Sequence, residues 1–160
     1  MSEAIVPATS PQHIVWARRL CEEYADSLPF ALDFQGFAAE LADLPGAYSP
    51  PAGRLLLALV DGAPVGCVAM HRWSPDTCEM KRLYVRPSHR GRGLGRRLVV
   101  AICAAARRAG YRHMVLDTTP SMVEAHALYQ ALGFVAIAPY RHNPVPGTRY
   151  LQLDLGLIGR

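Results

Sequence analysis

The run Arg90-Gly91-Arg92-Gly93-Leu94-Gly95 is the part of this sequence whose residue types and spacing most directly imply chemistry. It follows a strand-like segment ending at Val85 and opens a stretch with helical spacing. The first N–H groups of a helix lack internal partners, and the helix dipole puts partial positive charge there. Glycines let an anion approach the bare backbone, and arginines on either side add charge-assisted hydrogen bonds. Such a loop is an anion cradle. Its surroundings agree: no acid occurs between Glu79 and Asp117, a window that holds Lys81, Arg82, Arg86, Arg90, Arg92, Arg96 and Arg97. A cationic field of this kind suits a phosphorylated ligand or nucleic acid.

Three ligands could use the cradle. A nucleoside triphosphate calls for Lys-Ser or Lys-Thr after the last glycine, but Arg96-Arg97 follow, which excludes a P-loop. A dinucleotide calls for GxGxxG and an acid about 20 residues on. The glycines here are spaced GxGxG, although Asp117 stands at a suitable distance. The third ligand is coenzyme A, whose pyrophosphate fits the same cradle. Nucleic acid is disfavoured, because no aromatic beyond Tyr84 interleaves the basic run and no nucleic-acid module is recognisable.

Several elements must position the loop. Ser10-Pro11 starts a helix over Pro11 to Asp26, with Ser10 as N-cap and Pro11 at the first position. Asp33 caps a second, short helix to Leu44, with Phe34, Phe37, Leu41 and Leu44 on one stripe. Two strands, Arg54 to Val60 and Pro64 to Trp73, flank Asp61-Gly62, a strong hairpin signal. Thr77 to Val85 is a third strand, placing Glu79, Lys81, Leu83 and Val85 on one face unless a bulge switches the parity. After the glycine loop comes a helix with Leu94, Leu98, Ala101, Ile102 and Ala105 inward and Gly110 as C-terminal cap. His113 to Asp117 reads as a buried strand. Ser121 and Glu124 match a capping box for the next helix, which Gly133 closes. Strands at Phe134 to Ala138 and Arg149 to Leu155 complete an α/β fold, with a mixed, mostly antiparallel central sheet and helices on both faces.

Composition sets the frame. With 160 residues, 51% hydrophobic and 19% charged, the chain reads as one domain, 1–160, with a sizeable core. No apolar run reaches the roughly 20 residues of a membrane span, and Met1 to Ala8 lacks the pattern of a signal peptide. The expectation is a soluble, cytoplasmic protein. Cys21, Cys67, Cys78 and Cys103 are dispersed in apolar company and read as small core residues, so neither a disulfide nor a metal site is expected. Lys81 is the only lysine.

Two motifs carry a family resemblance. Arg90-x-x-Gly93-x-Gly95, after a strand ending Leu83-Tyr84-Val85, resembles the acyl-CoA signature of the GNAT acetyltransferases. The run Leu128-Tyr129-Gln130-Ala131-Leu132-Gly133-Phe134 resembles that family's second hallmark. The resemblance implies a GNAT-like acyl-CoA N-acyltransferase fold and acetyl-CoA as co-substrate. It implies that backbone amides of Arg92 to Arg96 hold the pyrophosphate and that the backbone of Leu83 and Val85 pairs with the pantetheine arm. The cofactor site is then Leu83, Tyr84, Val85, Arg90, Gly91, Arg92, Gly93, Leu94, Gly95 and Arg96. Tyr129 matches the tyrosine that protonates the departing thiolate. Many members carry Asn at the start of the second helix, where this sequence has Met122.

The expected reaction is direct attack of a neutral amine on the acetyl thioester, which needs a base, because an amine with a pKa near 10 is otherwise protonated. Glu79 is the candidate base; an ion pair with an arginine would lower its pKa and weaken it in that role. Phe34, His71 and Tyr140 are candidates for the acceptor pocket, and the loop from Tyr140 to Thr148 for its rim. The acceptor is expected to be an amine of a small molecule or a peptide, with no membrane partner. A homodimer through the final strand is compatible with the sequence, which does not require it. The competing reading is a non-catalytic module that binds and senses coenzyme A; such a module needs neither Glu79 nor Tyr129.

Overall fold

The computed structural model describes residues 2–32 and 36–157. Among the described residues, seven strands form one sheet in the order β1-β2-β3-β4-β5-β7-β6. They are β1 (Glu3–Pro7), β2 (Arg54–Val60), β3 (Ala63–Ser74), β4 (Thr77–Val85), β5 (His113–Thr118), β6 (Val135–Ala136) and β7 (Arg149–Asp154). All neighbours are antiparallel except β4 and β5, which run parallel. The helices are α1 (Pro11–Ser27), α2 (Phe37–Ala42), α3 (Leu94–Arg108) and α4 (Val123–Ala131).

Alternation along β2 shows how the sheet divides its two cores. Leu56, Ala58 and Val60 pack with Leu98, Ile102 and Ala106 of α3. Leu55 and Leu57 point the other way, onto Ala17, Leu20 and Cys21 of α1. Helices therefore cover both faces, and the two clusters bury the apolar stripes on which the helices depend. Ser10 caps α1 by accepting from the His13 N–H at 3.1 Å, and Pro11 takes the first helical position. At the β2–β3 turn Asp61 and Gly62 both have positive φ, 51° and 81°, the handedness that matches strand twist in a two-residue hairpin. All four cysteines are free and buried.

Four expectations need correction. Before α1 there is a strand: Glu3–Pro7 pairs with Val60 through Leu56, which places β1 at the sheet edge. The capping box at Ser121 does not form. Met122 holds the N-cap position of α4 without a side-chain bond, while the Ser121 hydroxyl meets Thr119 Oγ1 at 2.9 Å. The second helix is short, as expected, but its bounds are Phe37–Ala42 and its N-cap is Gly36 in a left-handed conformation; the expected cap Asp33 lies outside the described residues. The strand at 134–138 shrinks to two residues.

The parity of β4 switches. Cys67 pairs with Tyr84 and Ala69 with Lys81, so Val68 is opposed by both Arg82 and Leu83. Arg82 carries the bulge with φ of 63°, unusual for a residue with a side chain. Upstream Cys78 and Met80 face the α3 core; downstream Leu83 and Val85 pack on it. Glu40 of α2 receives the Arg82 guanidinium at 2.8 and 2.7 Å, and the Phe37 ring lies 5.0 Å from it. These contacts offset the strain of the left-handed backbone.

Candidate active site

The parallel ladder between β4 and β5 is short. Thr77, Cys78 and Glu79 pair with His113, Met114 and Val115, and no rung follows. Beyond Glu79 and Val115 the strands part, and a cleft of about 570 Å³ opens between them. One wall is β4 from Met80 to Val85; the other is Leu116, Asp117 and the start of α4. Tyr24 of α1 and Tyr129 of α4 also line it.

The glycine loop forms the mouth of this cleft. Gly91, Gly93 and Gly95 line it together with Arg90 and Leu94. Gly91 and Gly93 have φ of 80° and 79°, and Gly93 serves as N-cap of α3 with no side chain to occupy the first N–H groups. Side chains grown on these glycines would enter open space: nothing lies within 4 Å of a Cβ at Gly91 or Gly93, and only Leu128 Cδ2 at 3.9 Å of one at Gly95. That bare backbone, at the positive end of a fifteen-residue helix without an acid in its first turn, fits a pyrophosphate. Arg90 is anchored by its Nε to Val85 O at 2.9 Å, with its guanidinium 5.8 Å from the Tyr84 ring. Arg92 and Arg96 are exposed and flank the loop outside the cleft lining.

Tyr129 is buried, and no described residue hydrogen-bonds its hydroxyl. Burial, then the neighbouring Tyr24 and Asp117, push its pKa up, so the phenol keeps its proton. Tyr24, half-buried, has its pKa raised to about 12, mainly by desolvation. Spacing marks Tyr24 as a core-facing residue of the first helix; only the tertiary fold brings it to the cleft.

Glu79 sits at the vertex of the fork, wholly buried, with three donors on its carboxylate. His71 Nε2 lies 2.8 Å from Oε1, Arg141 Nη2 donates to Oε1 at 2.8 Å, and the Tyr140 hydroxyl donates to Oε2 at 2.6 Å. Burial by itself would raise this carboxyl. The hydrogen bonds from His71 and Tyr140, with the charges of Lys81 and Arg141, outweigh it and hold Glu79 below the ordinary carboxylate range. Two of the three candidate pocket residues, His71 and Tyr140, thus meet at Glu79; Phe34 lies outside the described residues. The loop from Tyr140 onward closes over this end of the sheet. Asn143 donates to Asp117 at 3.0 Å, and Arg141 and Tyr140 pack on Trp73, at 4.9 and 5.0 Å. Arg141 falls in the loop expected as a pocket rim, but its pairing with Glu79 has no signal in the sequence, because it lies outside the basic run that marked the other arginines.

His126, half-buried, hydrogen-bonds Thr118 Oγ1 at 3.0 Å and so turns toward β5. Among the described residues no cluster of His, Cys, Asp or Glu could hold a metal ion, and no helix is long and apolar enough to cross a membrane.

This geometry has known counterparts. The family model for the acetyltransferase (GNAT) family matches residues 17–134. An uncharacterized N-acetyltransferase of Schizosaccharomyces pombe is 42% identical over 147 residues, covering 91% of this chain and 90% of its own length. The N-acetylaspartate synthetase of Rattus norvegicus is 34% identical over 110 residues, which cover 68% of this chain and 37% of the relative. A Salmonella typhimurium acetyltransferase structure with its cofactor acetyl-CoA superimposes with a TM-score of 0.70 at 21% identity, covering 97% of this chain and 95% of that one. The parted parallel strands and the bare glycine loop are therefore those of a GNAT acetyltransferase, and the chain belongs to that family.

Proposed function

We propose that this N-acetyltransferase binds acetyl-CoA in the fork between β4 and β5 and transfers the acetyl group to the amine of a small molecule or peptide. The observation that carries the reading is the end of the parallel ladder at Glu79 and Val115, because it opens a path through the sheet. The amides at the start of α3 hold the pyrophosphate, with Arg90, Gly91, Gly93, Leu94 and Gly95 at the mouth and Arg92 and Arg96 flanking. Past the bulge, the β4 backbone at Leu83 and Val85 is the edge offered to the pantetheine arm. On this reading the thioester lies near the vertex. The Salmonella structure with acetyl-CoA supports the choice of ligand.

The amine must lose a proton and the thiolate must gain one. Tyr129 gives the proton to the thiolate; its protonated hydroxyl, without a described partner, lines the cleft. Glu79 takes part in the base together with His71. A carboxylate held ionised by three donors is a weak proton acceptor, but it orients the imidazole against which it is bonded, as carboxylates orient general bases elsewhere. Tyr140 and the rest of its loop form the acceptor-side rim. A sensor that only binds coenzyme A has no use for this paired arrangement.

The test is release of free thiol from acetyl-CoA across an amine panel, with binding of acetyl-CoA followed by calorimetry. The relatives named N-acetylaspartate synthetase put aspartate first in the panel. Thiol release that depends on an amine supports transfer. Saturable binding without release for any amine or peptide would favour the sensor.

A further inference from the structure

Lys81 is the only lysine of the chain, and it lies in the cleft. Every other permanently basic side chain is arginine, whose guanidinium stays charged and is a poor nucleophile. Lys81 stands two residues past Glu79, just beyond the last rung of the fork, and directly before the bulge at Arg82. It shares the cleft lining with Tyr129 and, across the gap, Asp117. Its surroundings ease loss of the ammonium proton. Burial is the largest influence and lowers its pKa, Arg82 and Arg141 add to that, and Glu79 and Asp117 oppose it without reversing it. A neutral amine is the form that attacks a thioester.

We propose that Lys81 is itself an acetyl acceptor, modified by the acetyl-CoA bound in its own cleft. The inference rests on the reading that the thioester lies at the fork. The Nζ lone pair attacks the thioester carbonyl carbon, a C–N bond forms and the C–S bond breaks. Coenzyme A leaves as thiolate. The proton lost from nitrogen balances the one that the thiolate takes up, with Tyr129 as the near donor. The product is an amide at Nζ, without positive charge and larger than the amine. It removes a cation from beside Glu79 and Asp117 and narrows the path that an external amine must use. A molecule so modified turns over external amines more slowly, which makes the modification a brake on the enzyme when acceptor is scarce.

The experiment incubates the full chain with acetyl-CoA and no amine, then reads intact mass and maps the peptides. Lys81→Arg and Arg108→Lys variants run beside it; Arg108 is exposed at the far end of α3. The expected result is one acetyl group per chain at Lys81, one thiol released with it, and none at position 81 in Lys81→Arg. In Arg108→Lys the introduced lysine should lag Lys81 by at least roughly tenfold, since only Lys81 is held beside the thioester. Equal modification of both lysines, or no acetyl at Lys81 in protein that binds acetyl-CoA by calorimetry, overturns the proposal. Failure to bind acetyl-CoA at all overturns the assignment of the cleft as well, which separates the two failures.

Discussion

Tyr140 donates its hydroxyl to Glu79 Oε2 across 2.6 Å, joining two residues 61 positions apart in the chain. With Arg141 beside it, this contact pins the loop between β6 and β7 to the vertex of the fork. The loop proposed as the acceptor-side rim is therefore held by one buried carboxylate.

That dependence gives a pH signature. The Glu79 carboxyl is held below its ordinary range in the folded chain, so in acid the unfolded chain binds the proton first. The stability that the network supplies is fully present above the unfolded carboxylate value of about 4.3 and is lost as pH falls through the lower, folded value. Glu79→Gln should cost about 1–3 kcal/mol at neutral pH, since it leaves a buried set of donors poorly matched. It should also flatten the acid limb of stability. Urea midpoints measured from neutral to acid pH decide this; parallel curves for the two proteins would contradict it.

Tyr129→Phe should lower turnover by roughly 10²-fold or more, the usual worth of a general acid. Affinity for acetyl-CoA and thermal stability should stay near wild type, because the hydroxyl holds no described partner. Steady-state thiol release and a thermal melt are enough. Unchanged turnover would make Tyr129 a core residue only, its ring centroid 5.4 Å from that of Phe134.

Gly95→Leu should separate folding from binding. A Cβ there meets only Leu128 at 3.9 Å, and leucine is a better helix former than glycine by up to about 1 kcal/mol, so the fold should survive. The added side chain enters the cradle, and acetyl-CoA affinity should fall at least tenfold, about 1.4 kcal/mol. Calorimetry gives the affinity; full binding by this variant would move the pyrophosphate elsewhere. Wild-type affinity should also weaken as salt rises.

Glu40→Ala removes the bidentate partner of Arg82, a guanidinium whose side chain is only 1% exposed. The expected loss is about 3 kcal/mol, because a buried charge then loses its principal counter-charge. Chemical unfolding measures it. A loss under about 0.5 kcal/mol, the scale of an exposed pair, would show that the bulge does not lean on α2.

The legible parts of this molecule were those whose causes are local. Asp61-Gly62 fixes its hairpin because the turn needs two positive φ values, and the cradle follows from glycines at a strand-to-helix junction. Ser10 caps α1 by a bond to a residue three places on. What stayed hidden depends on distant chain. Glu3–Pro7 becomes a strand only because β2 lies beside it, and two residues from the far loop close on Glu79. At Ser121 the local pattern misled, because Thr119 engages the hydroxyl that the capping box would use. The left-handed Arg82 has no sequence signature, since glycine is the residue that usually marks such a backbone.

The bulge also bears on how this segment tolerates change in length. Arg82 and Leu83 together answer one residue of β3, so every side chain from Glu79 to Val85 owes its face to that extra residue. Losing one residue there would turn Leu83 and Val85 away from α3 or Cys78 and Met80 off their core. Single-residue insertions and deletions are therefore closed to β4 as an evolutionary route, whereas point substitutions remain open. If the proposed acceptor site is right, variation in acceptor choice falls to the elements around the fork, α1, α2 and the loop after β6, where the chain can lengthen without re-facing the strand that carries Glu79.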